Sequence, residues 1–499
     1  MTNLATILSD SARRTPQAIA LRLQEQRFSY ARLDALSTGL AGELRERGVG
    51  PGDRVALIAP NLPQMAVAYY AILRLGAVVV PLNPLLTARE LEGLFRSARL
   101  SAVIADESVA GPSREAHDLL PEPIPFLETG PATMEVPVPT GAPQAPVERA
   151  EDDLAVLLFT SGTTGAPKGA ALSHDNLLSN AWMTTRMFSY VPEDVMLGSL
   201  PFFHVFGQTV TLNASIAVGA QISLVPSFQP RAVLRQIVEH GVTAVIGVPS
   251  MHMGLNAVQR RERVATPRLR AGISGGAALP VEVLHEFEEL FGVSLYEGYG
   301  LSETSPVVAF NHPVDQRRPG SIGTACEFAE LSVIDDEGQE VPRGEVGELA
   351  VAGRFVMKGY WDQPELTTGA FAGRFFRTGD MARHDEQGRF WIVDRKKDTI
   401  LRNGYNVYPR EIEELLYGHP QVEEAAVVGR GVEATTDQVI VACLVLREGA
   451  EEAEVVRELR ARAREGLATY KRPNDYRIMD SLPKGSTGKI LKREIDPSA

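Results

Sequence analysis

The stretch Leu154-Ala-Val-Leu-Leu-Phe-Thr-Ser-Gly-Thr-Thr-Gly-Ala-Pro-Lys-Gly169 joins an apolar run to a loop of glycine, hydroxyl and lysine residues. The apolar run predicts a buried strand, because short aliphatic runs are typical of strands covered on both faces. Exposed backbone N–H groups, hydroxyls and the ammonium of Lys168 together suit a polyphosphate. The stretch therefore predicts an α/β fold in which a buried strand leads into a phosphate-binding loop.

This loop differs from the Walker A motif, GxxxxGK followed by serine or threonine. Its spacing does not match, and Pro167 stands where a phosphate-binding helix would begin. The next helix signal is Ser173, a residue suited to cap a helix N-terminus. A kinase or P-loop hydrolase is therefore the weaker interpretation of this loop, and production of ADP from ATP would favour it.

Composition and charge narrow the class of protein. The chain has 499 residues and a formal net charge of −13, which disfavours nucleic acid or an anionic membrane as partner. Its two cysteines, Cys326 and Cys443, fit a reducing compartment without disulfides or thiolate metal clusters. The most apolar stretch, residues 65–82, is interrupted by Arg74 and Gly76, which predicts a helix and a buried strand rather than a membrane span. We expect a cytoplasmic protein without a secretory signal, nucleic-acid partner or integral membrane association.

The pattern of short runs changes along the chain. Runs rich in Val and Ile, spaced by helix-length segments, predict an α/β architecture, and residues 111–149, rich in Pro and Gly, predict a surface excursion. From about residue 320, acidic and glycine turn signals favour antiparallel pairing. After the charged cluster 394–398, a helix over 409–417, strands near 422–428 and 439–446, and a helix near 451–466 predict a small α+β domain.

Further motifs follow the loop in a characteristic order. They are Thr160–Gly169, Tyr299–Glu303 (YGLSE), Arg377–Asp380 (RTGD), the pair Asp394-Arg395, and Pro483–Lys489 (PKGSTGK). Together they resemble the adenylate-forming, or AMP-binding, superfamily of acyl-CoA synthetases, nonribosomal adenylation domains and luciferases, over essentially the whole chain. Residues 404–413, GYNVYPREIE, are most similar to bacterial fatty acyl-CoA ligases.

The resemblance implies an α/β fold in two domains. The large N-terminal domain, residues 1–394, is expected to contain α/β subdomains and a small β-barrel-like part. A hinge at residues 395–398 leads to a small, mobile α+β C-terminal domain, residues 399–499.

Adenylate formation requires a carboxylate to attack the α-phosphorus of ATP while pyrophosphate leaves. Such a site must neutralise phosphate charge and needs no strong base, so hydroxyls, an ammonium and a Mg²⁺-binding carboxylate are expected. By resemblance, Glu303 binds Mg²⁺, and Ser302, where the family more often has threonine, reaches the α-phosphate. Lys489 is implied to bridge carboxylate and phosphate oxygens during adenylation, and then to leave as the C-terminal domain rotates about the hinge residue Lys397.

The resemblance also implies a site for ATP and AMP. Asp380 is expected to accept hydrogen bonds from both ribose hydroxyls, with Arg395 near the same sugar. Tyr299 offers a stacking face to adenine, and glycine backbone at 275–276 permits its close approach. The residues assigned to the nucleotide are Thr160, Ser161, Gly162, Thr163, Thr164, Lys168, Gly275, Gly276, Ala277, Tyr299, Gly300, Asp380 and Arg395.

The acyl substrate is expected beside the aromatic motif 201–207, PFFHVFG, which we call the acyl motif. Amino-acid-activating relatives place an aspartate in this motif to pair with the substrate ammonium, and this chain has none there. A plain carboxylic acid is therefore favoured, and mostly apolar candidate walls suit a fatty acid of medium or long chain. The residues assigned to the substrate are His204, Val205, Thr209, Val248 and His252.

The thiol acceptor is left open between coenzyme A (CoA) and the phosphopantetheine arm of an acyl carrier protein. Gly404 and Tyr405 are assigned to the thiol tunnel by resemblance. Residues 428–437 depart from the pattern common in acyl-CoA ligases, and four arginines within 455–464 suit either an acidic carrier protein or a solvated helix. A non-catalytic acyl-adenylate-binding module is a second alternative, and a homodimer is compatible with the resemblance.

Overall fold

The computed structural model describes residues 2–134, 144–160, 167–311, 317–402, 405–431, 438–485 and 488–496. Over these residues a large domain with three sheets precedes a small α+β domain whose first strand starts at Ile400. In the same ranges, no helix is both long enough and apolar enough to cross a bilayer.

Helices and strands are numbered in chain order. The helices are α1 Thr6–Arg14, α2 Tyr30–Glu46, α3 Pro63–Arg74, α4 Ala88–Ala98, α5 Ala110–Asp118, α6 His174–Met187, α7 Ala214–Val218, α8 Pro230–Glu239, α9 Pro249–Glu262, α10 Val281–Phe291, α11 Pro364–Gly369, α12 Pro409–Tyr417 and α13 Glu452–Gly466. The strands are β1 Ile19–Leu23, β2 Gln26–Ser29, β3 Arg54–Ile58, β4 Val78–Leu82, β5 Ala102–Asp106, β6 Phe126–Thr129, β7 Leu154–Thr160, β8 Lys168–Ser173, β9 Val195–Gly198, β10 Gln221–Leu224, β11 Ala244–Gly247, β12 Ala271–Ser274, β13 Leu295–Gly300, β14 Val307–Phe310, β15 Thr324–Ala325, β16 Ala329–Ile334, β17 Gly347–Gly353, β18 Phe371–Ala372, β19 Phe375–His384, β20 Phe390–Arg395, β21 Ile400–Arg402, β22 Tyr405–Val407, β23 Val422–Gly431, β24 Gln438–Leu446 and β25 Asp475–Ile478.

Two mostly parallel sheets form the α/β part of the large domain. The first has the order β6-β5-β3-β4-β7-β8, and the second β15-β14-β13-β12-β11-β9-β10-β1-β2. Antiparallel pairs occur towards their edges, as between β7 and β8 or β13 and β14. Every residue of β4 and β5 is buried, which is why these strands consist mostly of aliphatic residues.

Helix α3 joins the cores of the two sheets. Its residues, Pro63–Arg74, are all buried. The Tyr70 hydroxyl donates a hydrogen bond to Asn213 Oδ1, at the end of a π-helical segment Gly207–Asn213 on the other side of the core. The buried guanidinium of Arg74 forms an ion pair with Asp34 of α2, so the charge is compensated. This packing fixes the position of the acyl motif relative to the first sheet.

The third sheet confirms the antiparallel prediction. Its order is β16-β17-β19-β18, with β20 also paired to β19. The register of the last pair sets Asp380 directly opposite Arg395. Two residues that the resemblance assigns to one ribose are therefore cross-strand neighbours.

The small domain also follows the prediction. Its sheet has the order β23-β24-β25, the hairpin of β21 and β22 stands beside it, and α12 spans the predicted residues 409–417. The domain has its own buried core, to which α12, β23, β24 and α13 all contribute. The exact boundaries of the two domains stay a prediction.

The expectation of a surface excursion over residues 111–149 is wrong for its first part. Most of α5 lies within this range, and β6 pairs in parallel with β5 as an edge strand of the first sheet. Pro and Gly in the flanking turns obscured a short strand of which only Leu127 and Thr129 are buried.

Candidate active site

The hairpin of β7 and β8 carries the phosphate-loop motif. The strands pair up to Thr160 opposite Lys168, so the two ends of the motif are held side by side at the edge of the sheet. At this mouth the Thr160 hydroxyl donates a 3.4 Å hydrogen bond to the Lys168 carbonyl oxygen. Four predicted nucleotide residues lie outside the described residues: Ser161, Gly162, Thr163 and Thr164.

A tyrosine links the loop lysine to the predicted metal-binding carboxylate. The Tyr360 hydroxyl donates a 2.9 Å hydrogen bond to Glu303 Oε1. Lys168 Nζ lies 5.6 Å from the centre of the same ring, within the range of a cation–π interaction. The Tyr360 N–H bonds to Thr367 Oγ1 at 2.9 Å, which fixes its backbone. One aromatic side chain thus contacts two predicted site residues that are far apart in sequence.

A buried carboxylate joins the other nucleotide residues. Asp380 is 6% exposed, its Oδ2 accepts a 2.5 Å hydrogen bond from the Tyr299 hydroxyl, and its Oδ1 lies 3.6 Å from Arg395 Nε. Burial raises the pKa of Asp380 above its usual value, whereas Arg395 and the Tyr299 hydrogen bond oppose the rise. The three side chains that the resemblance assigns to the nucleoside are therefore in contact.

Close backbone approach distinguishes the glycines of the predicted nucleotide site. Gly276 has a φ of 77°, a region in which side chains are strained, and it precedes the half-buried Ala277. A β-carbon on Gly300 would overlap the Pro306 carbonyl oxygen. A β-carbon on Gly275 would lie 3.0 Å from the Phe206 ring, so this glycine adjoins the acyl motif.

Lys489 reaches the large domain from the small domain. Burial and the nearby Arg395 lower the pKa of Lys489 to about 8, and the opposite charge of Asp380 acts against them. The lysine also acts on His204, whose pKa is lowered to about 4, mainly by burial. Lys489 therefore lies within electrostatic range of both the predicted ribose carboxylate and the histidine of the motif 201–207.

The loop that carries Lys489 packs on the start of α9. A β-carbon placed on Gly488 would lie 3.8 Å from Ser250 Cβ and 3.4 Å from Val248 Cγ2. Gly488 has a φ of 79°, which favours glycine. The contact brings Val248, a predicted acyl-pocket residue, next to the catalytic candidate.

The remaining acyl-pocket candidates are buried around the π-helical segment and α9. Val205 and Thr209 are 1% and 0% exposed. His252 is buried too, with Nε2 3.1 Å from the Ile273 carbonyl oxygen and its ring edge-on to Phe287. Burial lowers the pKa of His252 to about 4, so the ring is neutral and donates from Nε2. His252 is a core residue of this sheet face, and its substrate role stays a prediction.

The other candidates occupy short segments around the domain junction. Ser302 opens the one-turn helix Ser302–Thr304 that carries Glu303. Lys397 is exposed in the short helix Lys396–Asp398 between β20 and β21. Tyr405 is 56% exposed and stacks on Tyr470 with ring centroids 4.5 Å apart, so it lies on the small-domain surface and not among the buried cleft residues. Gly404 lies outside the described residues.

Comparison with known families agrees with this geometry. The model of the AMP-binding enzyme matches residues 8–361, and that of the AMP-binding enzyme C-terminal domain matches residues 411–489. The chain belongs to the AMP-binding enzyme family.

Relatives of this AMP-binding enzyme cover nearly its full length. The long-chain-fatty-acid–CoA ligase of Bacillus subtilis is 37% identical, over 99% of this chain and 94% of the relative. The feruloyl-CoA synthase of an Amycolatopsis species is 35% identical, over 97% and 96%. ATP-bound MatB from Rhodopseudomonas palustris superposes with a TM-score of 0.89 at 32% identity, over 99% and 97%. The anthranilate CoA ligase AuaEII with anthranoyl-AMP has a TM-score of 0.92 at 26% identity, over 98% and 95%.

Three residues of this AMP-binding enzyme contribute to the geometry without having been singled out in the sequence. Tyr360 contacts Glu303 and Lys168, and Glu297 of β13 faces Arg410 of α12 across the domain boundary. Arg410 lies inside the fatty acyl-CoA ligase motif, but nothing in the motif indicates its partner. Each of these contacts joins elements distant in the chain, so no local pattern could reveal it.

Proposed function

We propose that this AMP-binding enzyme is an AMP-forming acid–thiol ligase that joins a medium- or long-chain fatty acid to CoA. The acid displaces pyrophosphate from ATP to form an acyl-adenylate, and the thiol then displaces AMP to form the thioester. The observation that carries the proposal is the approach of Lys489 to Asp380, Arg395 and His204. The CoA-ligase names of full-length relatives support the same reaction class.

In the first step, a carboxylate oxygen bonds to the α-phosphorus as the bond to the bridging oxygen of pyrophosphate breaks. Lys489 holds the carboxylate and the α-phosphate oxygens together, which lowers their mutual repulsion. The Ser302 hydroxyl donates to the same phosphate, and Lys168 balances charge on the leaving group. Asp380 and Arg395 hold the ribose, so the reacting phosphorus lies at the domain boundary.

Glu303 is the residue proposed to hold Mg²⁺. Tyr360 fixes its Oε1, while Oε2 accepts no hydrogen bond from any residue in the described ranges. A carboxylate oxygen of this kind fits a hard cation that is shared with phosphate. The ion would neutralise part of the phosphate charge. The role of the chain is to keep the carboxylate in one orientation.

Removal of the Tyr360 hydroxyl tests this orientation. For Tyr360→Phe we expect the Mg²⁺ concentration at half-maximal adenylation to rise about tenfold, because outer hydrogen bonds to a ligand usually matter this much. Titration of Mn²⁺ in the presence of ATP, followed by electron paramagnetic resonance, should show the same weakening. Tyr417→Phe, which removes a hydroxyl bonded to the Ala425 carbonyl oxygen, is the control. Equal metal responses in both variants would contradict the proposed role of Tyr360.

A proton lost from Lys489 sets the expected response to pH. Its pKa lies below the usual 10.5, at about 8, so the ammonium that the reaction needs is present below that pH and is lost above it. We expect kcat/KM for ATP in adenylation to fall as pH rises through about 8, because this ratio reports ionisations of the free enzyme. In the Lys489→Arg variant kcat/KM should no longer fall in this pH range, since a guanidinium stays charged. A wild-type profile that is flat from pH 7 to 9.5 would contradict the assignment.

The choice of a fatty acid rests on the acyl motif. Residues 201–207 supply no carboxylate for a substrate ammonium, and buried neighbours such as Val205 and Val248 are apolar. The depth of the pocket sets the length of the preferred acyl chain, which an assay over a series of fatty acids would determine.

The choice of CoA over a carrier protein rests on the relatives and on α13. Three of its arginines have partners inside the small domain: Arg457 pairs with Glu454, Arg460 lies over the Tyr476 ring, and Arg462 donates to the Gly418 carbonyl oxygen. These contacts favour the solvated-helix interpretation.

The deciding experiment incubates the purified protein with ATP, Mg²⁺ and fatty acids of graded length. One set receives CoA and the other phosphopantetheinylated carrier protein, and AMP and thioester are measured. We expect acid-dependent AMP release with acyl-CoA as the product. Thioester on the carrier protein alone would overturn the choice of acceptor, and absence of acid-dependent ATP–pyrophosphate exchange would favour a non-catalytic module.

A further inference from the structure

Arg410 of the small domain contacts the large domain at three points. Its backbone N–H bonds to Asp394 Oδ2 at 2.8 Å, and its Nη1 donates to the Ile392 carbonyl oxygen at 2.9 Å. Its Nη2 lies 4.0 Å from Oε1 of Glu297 on β13. Asp394 and Ile392 belong to β20, directly before the predicted hinge. One residue of α12 therefore connects the small domain to two sheets of the large domain.

Glu297 and Arg410 are desolvated together. They are 2% and 8% exposed, and neither Glu297 Oε2 nor Arg410 Nη2 has a hydrogen-bond partner within the described ranges. Glu297 Oε1 accepts one hydrogen bond from the Leu279 N–H. Burial raises the pKa of Glu297 to about 7 despite the neighbouring guanidinium. Glu297 therefore depends on Arg410 for its charge partner across the domain boundary, since a buried charge without its partner is strongly destabilising.

Two further carboxylates among the described residues contact Arg410: Asp394, which accepts from its backbone N–H, and Glu414. Glu414, one turn along α12 and half-exposed, binds Arg410 Nε at 3.1 Å. Because Glu414 moves with Arg410, it can keep the guanidinium paired in any domain arrangement. Glu297 has no such companion, and it depends on the domains staying in this arrangement.

Rotation of the small domain about residues 395–398 would move Arg410 away from Glu297, which lies on a different sheet from the strand that leads into the hinge. The same rotation removes Gly488 from Ser250, and Lys489 from the nucleotide residues. The pair and the catalytic lysine thus belong to one domain arrangement. When the domains part, both charges regain hydration, so the contact opens more easily than an apolar one of the same area.

We propose that Glu297 and Arg410 form an interdomain latch that holds the small domain in the adenylation arrangement and so positions Lys489. The proposal rests on the proposed function, which gives Lys489 its role in adenylation. Glu297 and Arg410 are positioning residues, because neither is placed against substrate or nucleotide.

The contact between Gly488 and Ser250 supplies a measure of this arrangement that does not depend on catalysis. In the variant Ser250→Cys with Gly488→Cys, the two β-carbons would be about 3.8 Å apart, the usual separation in a disulfide. The native Cys326 and Cys443 are buried, so they compete little for the oxidant. The rate of cross-linking under a mild oxidant then reports how often the domains adopt the arrangement.

In this background, Arg410→Met and Glu297→Met should each slow cross-linking by at least about tenfold, because each removes the interdomain pair and leaves the remaining buried polar group without that partner. The double variant should cross-link much faster than either single variant, since an apolar pair replaces the ionic one. Arg477→Met is the matched control: its guanidinium contacts Asp475 within the small domain, and the cross-linking rate should not change.

The same substitutions in the enzyme without introduced cysteines distinguish loss of the latch from general destabilisation of the fold. The single variants should lower acyl-adenylate formation about tenfold while leaving thioester formation from supplied acyl-adenylate unchanged, a split that general destabilisation would not produce. Single variants that cross-link at the wild-type rate, or effects that simply multiply in the double variant, would overturn the latch. If the wild type proves to have no ligase activity, the proposed function fails, and the cross-linking rates still decide for or against the latch.

Discussion

Replacement of Lys489 by alanine lowers the rate of acyl-adenylate formation by about two to three orders of magnitude, the usual loss when one donor to a developing charge is removed. Thioester formation from supplied acyl-adenylate and CoA stays close to the wild-type rate, because the lysine has left the site by then. The two half-reactions are measured separately on the same preparation: adenylation by ATP–pyrophosphate exchange, and thioester formation as acyl-CoA produced from supplied acyl-adenylate.

The position of Lys489 is the reason for so large an effect. The side chain is largely withdrawn from water, and Asp380 and Arg395 act on its charge from the large domain. An ammonium held in such surroundings interacts with phosphate oxygens far more strongly than one in bulk water. Its sequence position, near the C-terminus, gives no indication of this burial.

A second lysine of the same loop provides the control for Lys489→Ala. Lys484 is exposed and pairs with Glu424 of its own domain, so Lys484→Ala should leave both half-reactions within about twofold of wild type. If Lys489→Ala reduced both half-reactions equally, the lysine would serve the stability of the small domain and not adenylation.

Oxidation of the variant Ser250→Cys with Gly488→Cys should lower the rate of thioester formation at least about a hundredfold, while a first round of adenylation continues. A disulfide at this point joins the loop of Lys489 to α9, so the small domain can no longer rotate. Reduction with dithiothreitol should restore the second half-reaction. Adenylation is expected to slow somewhat even in the reduced variant, because Gly488 has a positive φ that a side chain tolerates poorly.

Single-cysteine variants control for this strain, and the oxidant should not change their half-reactions. The informative quantity is the ratio of the two half-reactions before and after oxidation, determined by rapid quench with labelled fatty acid. Undiminished acyl-CoA formation by the fully cross-linked enzyme would show that the domains need not rearrange between the two steps.

Local signals predicted most of the fold, because the features concerned depend on neighbouring residues. Ser173 caps α6 through a reciprocal hydrogen-bond pair with Asn176, as its sequence context indicates. The apolar spacing and Pro409 set the start and length of α12, and turn residues set the hairpins of the third sheet. In β6, by contrast, edge position and partial burial weakened the apolar pattern that would have revealed a strand.

The candidate site was predictable only where the resemblance supplied residue roles. The contact between Asp380 and Arg395 follows from strand register, which a motif can suggest. Tyr360 and the pair of Glu297 and Arg410 were not predictable, because their partners come from other sheets or from the other domain. Contacts of this kind depend on tertiary packing, which a local sequence pattern does not reveal.

The proposed reaction requires one acyl-adenylate to be bound by residues of both domains at once. The most direct measurement is a crystal structure of the enzyme with a non-hydrolysable acyl-adenylate analogue. We expect the ribose hydroxyls on Asp380, the phosphate-mimicking group within hydrogen-bond distance of Lys489 Nζ, and the acyl chain leading away past His204. An analogue bound elsewhere, or bound with Asp380 and Lys489 facing no common ligand, would contradict it.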